Sequence, residues 1–421
     1  MTASLDAGRR AAAAAMADQI AATLNTPQPC EHGDDYSPTS SRWRDQSLSK
    51  GAAGVAVLHG LRAQHGLADE KPAHAWLARA TRDDLTAGHG AGLWFGAPAL
   101  AFALHTAAPG TYPGAMAGLD DGVTQLVHTR LKAAHARIDA ARRPSQYEFD
   151  LTRGLTGLGA HLLQRDPDGD LVRRVLAYLV RLTEPVPAAD EAGADAPGWW
   201  THDSSAHDRD PAFAAGEANF GMAHGCSGPL AFLALAMRQN VVVEGHEAAI
   251  TRVCRWLEDW EQQPPTGPWW PERITVNELR TGRPRQDGPL RPSWCYGTPG
   301  LARAQQLAAI ALGDATRQEA AEDALDQCLS DPLQLARIVD PALCHGLAGL
   351  LATTWHAAAD ASTPDLGAHL PRLLDALLAH ARDTPPETLP GLIEGSAGIA
   401  LTLHTAATGT SGGWAACLLL N

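Results

Sequence analysis

Two kinds of apolar segment alternate along this chain of 421 residues. In the first kind, hydrophobic positions return at helical spacing on one side only. Residues 170–182 bring Leu171, Val172, Val175, Leu176, Leu179 and Val180 together, with Arg173 and Arg174 opposite. Residues 372–381 do the same with Leu373, Leu374, Leu377 and Leu378. Such stripes predict amphipathic helices with one buried face. In the second kind no polar side remains, as in Val55-Ala56-Val57-Leu58, Leu301-Ala302, Leu350-Leu351 and Ile399-Ala400-Leu401. A helix that is apolar all round is expected to be enclosed by other helices.

Each enclosed segment opens on one short motif, Gly-x-x-Gly. It occurs at Gly51–Gly54, Gly154–Gly157, Gly225–Gly228, Gly297–Gly300, Gly346–Gly349 and Gly395–Gly398. Gly96-Ala97-Pro98-Ala99 is a seventh copy, with Ala in place of the second glycine. Repetition of one outer amphipathic and one inner enclosed helix marks a repeat architecture. An open superhelix needs polar capping repeats, and neither the Ala-rich first helix nor the apolar residues 415–420 look like one. The pattern therefore predicts an all-α fold: an α/α toroid of seven helical hairpins, with inner and outer helix rings, formed by residues 1–421 as a single domain. Glycine at the start of each inner helix is expected to let backbones crowd near the axis. The alternative is an ordinary helical array in which the glycines serve packing alone.

The intervals from Gly154 to Gly225 and from Gly225 to Gly297 are the longest. Their extra residues, 184–213 and 262–292, are rich in Pro, Gly, Asp and Trp and hold the pairs Trp199-Trp200 and Trp269-Trp270. They read as two long Trp/Pro-rich loops, with a little strand from Ile274 to Leu279. Long loops in a compact domain are commonly functional.

Composition narrows the partners. The net charge is -14, and an acidic chain without a basic run lacks the cationic footprint that nucleic acid requires. Seven scattered Cys do not resemble the disulfide framework of a small secreted domain. Asp18 and Gln19 interrupt the N-terminal apolar run, which argues against a signal peptide. No uninterrupted apolar stretch reaches about 18 residues, so no membrane span is expected. A soluble protein of a reducing compartment is the expectation.

Aligning the repeats exposes candidate chemistry. Immediately before the first glycine stand Lys50, Phe95, Arg153, His224, Tyr296, His345 and Glu394; one step earlier stand Ser49, Trp94, Thr152, Ala223, Cys295, Cys344 and Ile393. Equal offsets place side chains at equal height on a ring. Cys295 and Cys344 thus fall side by side, with His345 directly after the second. Two thiolates and an imidazole suit Zn²⁺, and three protein ligands leave a fourth position open. A lone buried Cys is ordinarily a small hydrophobe, the reading given to Cys30, Cys254, Cys328 and Cys417. Cys226 lies near His224 but at a helix-interior offset. Two thiolates leave such a zinc little net positive charge. It is better suited to holding an incoming thiol as thiolate than to activating water.

Ser293-Trp294-Cys295-Tyr296-Gly297-Thr298-Pro299-Gly300, Cys344-His345-Gly346-Leu347-Ala348-Gly349 and Ala223-His224-Gly225-Cys226-Ser227-Gly228 resemble the lanthionine synthetase C-like family. The resemblance extends over nearly the whole chain. It implies an α/α toroid with zinc at one end of its cavity, and addition of peptide Cys thiolates to dehydroalanine or dehydrobutyrine, closing thioether rings. By position, Cys295, Cys344 and His345 match the zinc ligands and His224 the acid–base residue. Asp150, Arg291 and Tyr296 match further active-site residues. Implied partners are a dehydrated precursor peptide of leader plus core, a dehydratase and a transporter. The implied location is cytoplasmic, or at the membrane periphery through such a complex. Some members carry a second active-site His about ten residues before the one matching His224. Here that place is Ala214, with His202 and His207 nearby, and the interval between the second and third motifs, Gly96 to Gly154, is too short for a large β-rich insertion. The Trp-rich loops are therefore the expected peptide-docking surface.

Other readings stay open at this level. They are glutathione addition to dehydroamino acids, a non-catalytic zinc-binding scaffold for peptides, a prenyltransferase-like toroid, and a toroidal glycosidase using Asp150 and Glu394. The last two explain the Cys, Cys, His set poorly. A prenyltransferase-like site takes Asp, Cys and His ligands, and a glycosidase needs only paired carboxylates.

Overall fold

The computed structural model describes residues 5–27, 45–186, 192–193, 196–203, 210–264, 267–383 and 390–421. Fourteen long helices are found there. In chain order they are α1 (Ala7–Thr23), α2 (Ala52–Gln64), α3 (Lys71–Ala80), α4 (Ala97–Ala107), α5 (Pro113–Asp139), α6 (Leu155–Arg165), α7 (Asp170–Leu182), α8 (Ser227–Arg238), α9 (His246–Asp259), α10 (Thr298–Leu312), α11 (Ala315–Ser330), α12 (Leu347–Asp360), α13 (Asp365–Asp383) and α14 (Ser396–Thr408). The even-numbered helices are the enclosed ones. Each packs on the next, and α14 packs on α2, so the inner ring closes. Each odd-numbered helix after the first covers the inner helix before it, while α1 covers α14. The first helix of the chain thus supplies the outer partner of the last inner one. Arg62 on α2 reaches Asp18 on α1 at 2.6 Å, and Lys50 pairs with Glu394 at 3.3 Å, across this seam. No described helix is long and apolar enough to cross a membrane.

The motif works through backbone geometry. Just ahead of each first glycine, the chain donates one N–H to the carbonyl of the neighbouring repeat. Leu48 donates to Trp94 (3.1 Å), Trp94 to Thr152 (3.4 Å), Leu151 to Ala223 (3.1 Å), and Met222 to Cys295 (3.0 Å). Cys295 donates to Cys344 (3.2 Å), Cys344 to Ile393 (3.0 Å), and Ile393 to Ser49 (3.1 Å). These bonds form a closed circle and hold all the pre-glycine residues at one level. The second glycine is required within its own repeat: a Cβ on Gly228 would lie 2.6 Å from the Met222 carbonyl oxygen. On Gly54, Gly157, Gly300, Gly349 or Gly398 it would strike the carbonyl of Leu48, Leu151, Trp294, Leu343 or Leu392. The crowding expected between backbones near the axis is instead contact between each inner helix and its own entering turn.

Residues 413–420 run inside the ring. Gln164 on α6 donates to Gly413 (3.0 Å), Trp414 donates to Thr405 on α14 (3.1 Å), and Arg303 on α10 donates to Leu420 (2.7 Å). Trp294 closes the series with a bond to the Leu418 carbonyl at 3.0 Å. Leu418, Leu419 and Leu420 are buried, and this apolar segment is the floor beneath the motif end of the ring.

The long loops meet in an antiparallel ribbon, β1 (Glu217–Asn219) with β2 (Arg273–Thr275). The strand expected through Leu279 stops at Thr275, because Thr275 and Glu278 form a capping box that starts a helical turn, Val276–Thr281. Trp199, Trp200, Trp269 and Trp270 are buried, with Trp200 donating to Ala215 (3.3 Å) and Trp270 to Leu257 (2.8 Å). Trp270 thereby ties its loop to α9 and Trp199 meets the Trp256 ring of α9 edge-on, while the Trp200 bond stays within its own loop.

Candidate active site

The hydrogen-bonded circle brings the predicted ligands together. The Cys295 and Cys344 sulfurs and one His345 ring nitrogen lie within 4.8 Å of one another. In a tetrahedral zinc site, bond lengths of about 2.3 Å to sulfur put two sulfurs roughly 3.7 Å apart. Small side-chain rotations close that difference, and a Cys, Cys, His donor set suits zinc. The three residues therefore fit a metal ion. The Cys344 thiol donates to Cys295, which pulls Cys295 well below the ordinary thiol value and pushes Cys344 well above it. His345 is raised, first by its hydrogen bond with Cys295. Ser293 adds a polar contact, its Oγ 3.6 Å from the Cys295 sulfur.

Asp150 and His224 form a second unit. The fully buried Asp150 carboxylate divides its oxygens. Oδ1 accepts the N–H groups of Arg153 and Gly154, both at 2.7 Å, at the entrance to α6. Oδ2 accepts the Thr152 hydroxyl and meets His224 Nδ1, both at 2.8 Å. Capping the helix and orienting the histidine are both done by one side chain. With Nδ1 committed to Asp150, Nε2 of the part-exposed His224 is left for chemistry. Met222, two residues before His224, bonds to the Cys295 carbonyl, so the dyad and the sulfur cluster sit on adjoining repeats.

Tyr296 and Arg291 flank the cluster. Asn219 donates to the Tyr296 hydroxyl at 2.9 Å, and the Arg273 guanidinium lies 5.9 Å from the ring centroid. Burial pushes the phenol up to about 12. Arg291 is half-buried with an unpartnered Nε, and its charge is felt at Cys344 and His345. Nearby, Glu272 is raised by burial and by the Cys295 charge.

Other candidates fall outside this set. Cys226, Cys254, Cys328 and Cys417 are buried away from the cluster, their thiols raised by desolvation. His202 does not join the three ligands. Cys30 and His207 lie outside the described residues. The sequence reading missed Ser293, Asn219 and Asp340, the last 3.5 Å from His345. Ser293 at least lies inside the Ser-Trp-Cys-Tyr-Gly run. Asn219 and Asp340 precede their first glycines by six residues, the offset that Arg291 also holds before Gly297, and counting back that far would have found them.

The model of the family described as lanthionine synthetase C-like protein matches residues 42–419. The chain belongs to that family. Within it, this lanthionine synthetase C-like chain is similar to the nisin biosynthesis protein NisC of Lactococcus lactis subsp. lactis, 23% identical over 207 residues. That match spans 48% of each sequence, so about half the relative's length is covered. Among solved structures it is similar to a nisin cyclase, with a TM-score of 0.77, 19% identity, and coverage of 90% of this chain and 93% of the other. The likeness establishes the helical toroid.

Proposed function

We propose that this protein is a zinc-dependent lanthipeptide cyclase acting on a dehydrated precursor peptide, leader plus core. The observation that carries the reading is the convergence of Cys295, Cys344 and His345 beside the Asp150–His224 dyad in a chain of this family. Cys295, Cys344 and His345 would hold zinc, which supplies, when bound, the Lewis acidity that lowers the pKa of a substrate thiol.

The remaining work belongs to this chain's own residues. His224, held through Nδ1, takes up the substrate thiol proton at Nε2. The sulfur forms a bond to the β-carbon of dehydroalanine or dehydrobutyrine, and the alkene electron pair moves toward the amide carbonyl. Arg291 is set to stabilise the resulting enolate oxygen, with the Tyr296 hydroxyl, neutral at physiological pH, as a further donor. Return of the His224 proton to the α-carbon completes a (methyl)lanthionine with no change in mass. The dehydroamino acids must come from an earlier dehydration of Ser or Thr.

The test uses a dehydrated Cys-containing peptide, with thiol titration and mass spectrometry. Loss of free thiol at constant mass supports cyclisation. A mass gain only when glutathione is added indicates intermolecular addition, and unchanged thiols in both arms indicate a scaffold.

A further inference from the structure

Asp340 repeats, three repeats further round the ring, the device seen at Asp150. Its Oδ1 accepts the Ala342 N–H at 2.9 Å, and its carbonyl accepts the Leu347 N–H at 3.1 Å, at the entrance to α12. Its other oxygen, Oδ2, stands 3.5 Å from His345 Nε2. Two repeats earlier, Asn219 is built the same way. Its Oδ1 accepts the Gly221 N–H at 2.9 Å, its carbonyl accepts the Cys226 N–H at 2.9 Å, and its amide reaches Tyr296. In all three, one oxygen holds the turn and the other arm addresses the pre-glycine side chain of its own or a neighbouring repeat. The glycine after His345 is part of the design, since a Cβ on Gly346 would strike Asp340.

We propose that Asp340 is the positioning residue of the metal site: it takes the Nε2–H of His345 and so presents Nδ1 to the ion beside Cys295 and Cys344. This rests on the zinc reading above. The 3.5 Å separation is longer than a charge-assisted hydrogen bond of about 2.7–2.9 Å, and a small ring rotation toward the sulfurs and carboxylate would satisfy both nitrogens. Histidine ligands are commonly fixed in this way by a carboxylate, whose loss weakens metal binding about 10–100-fold.

Asp340→Asn separates this role from folding. The amide oxygen still accepts from Ala342, but an NH₂ group then faces Nε2. That arrangement favours a proton on Nδ1, the nitrogen needed for the metal. Zinc affinity is measured by competition with a chromophoric chelator, and thermal unfolding is followed on the chelated protein. The expected result is zinc binding weakened about 10–100-fold with unfolding of the chelated protein unchanged. Asp340→Ala, which also removes the turn acceptor, should lower both. Wild-type zinc affinity in Asp340→Asn overturns the proposal, as does a loss explained by lowered stability of the chelated protein. A wild-type chain that binds no zinc overturns the zinc reading itself, and the proposal with it.

Discussion

Replacing Asp150 by Asn and by Ala separates what its two oxygens do. In Asp150→Asn the amide oxygen can keep the Arg153 and Gly154 N–H bonds, so the entrance to α6 survives. The NH₂ group then faces His224 Nδ1 at the former 2.8 Å contact. His224 must turn Nδ1 into an acceptor and carry its proton on Nε2, where it can no longer take a proton from the thiol. Loss of general acid–base catalysis costs typically 10²–10⁴-fold, and about that drop in kcat for ring closure is expected. In Asp150→Ala two buried backbone N–H groups lose their acceptor, at about 1–3 kcal/mol each. With an unfolding entropy near 2.1 cal/mol/K per residue, that corresponds to roughly 2–7 °C in Tm. The assay pairs single-turnover cyclisation, read by thiol loss, with thermal melting. Asp150→Asn at wild-type rate would refute the orienting role. An Asp150→Asn melting point as low as that of Asp150→Ala would refute the division of the two oxygens.

The glycines give two further predictions. Gly349→Ala drives a methyl into the Leu343 carbonyl at the start of α12 and should destabilise the protein by roughly 1–3 kcal/mol or more, seen as a lowered Tm. Gly118→Ala on the exposed side of α5, where an added methyl meets nothing within 4 Å, should be neutral or stabilise by up to about 1 kcal/mol. Both are read in the same melting experiment, and the opposite ranking would show that the collision with the entering turn does not decide glycine's presence.

Much of this architecture was legible because each repeat writes the same backbone requirement into the sequence. The second glycine marks contact with its own turn, and counting back from the first glycine finds Cys295, Cys344, His345 and His224 at one level. The closed circle of backbone bonds makes those offsets equivalent in space. The direction of a side chain within a turn was not legible. Asp340 and Asn219 share the six-residue offset of Arg291, yet which neighbour each addresses is set by turns that no periodicity encodes. The inward packing of the Trp pairs was not legible, because it depends on contacts with α9 that no local pattern encodes. The strand at β2 was placed too long because the capping box of Thr275 and Glu278 lay inside a segment with β-branched residues. That α1 pairs with α14 follows from ring closure, which the local pattern implied without naming the partners.

The most direct test of the central claim is metal analysis of the purified protein alongside Cys344→Ala and Cys226→Ala. The expected result is about one zinc per wild-type chain, loss of that zinc in Cys344→Ala, and its retention in Cys226→Ala. A metal-free wild-type chain that closes rings at full rate, or Cys344→Ala that keeps its zinc, would contradict it.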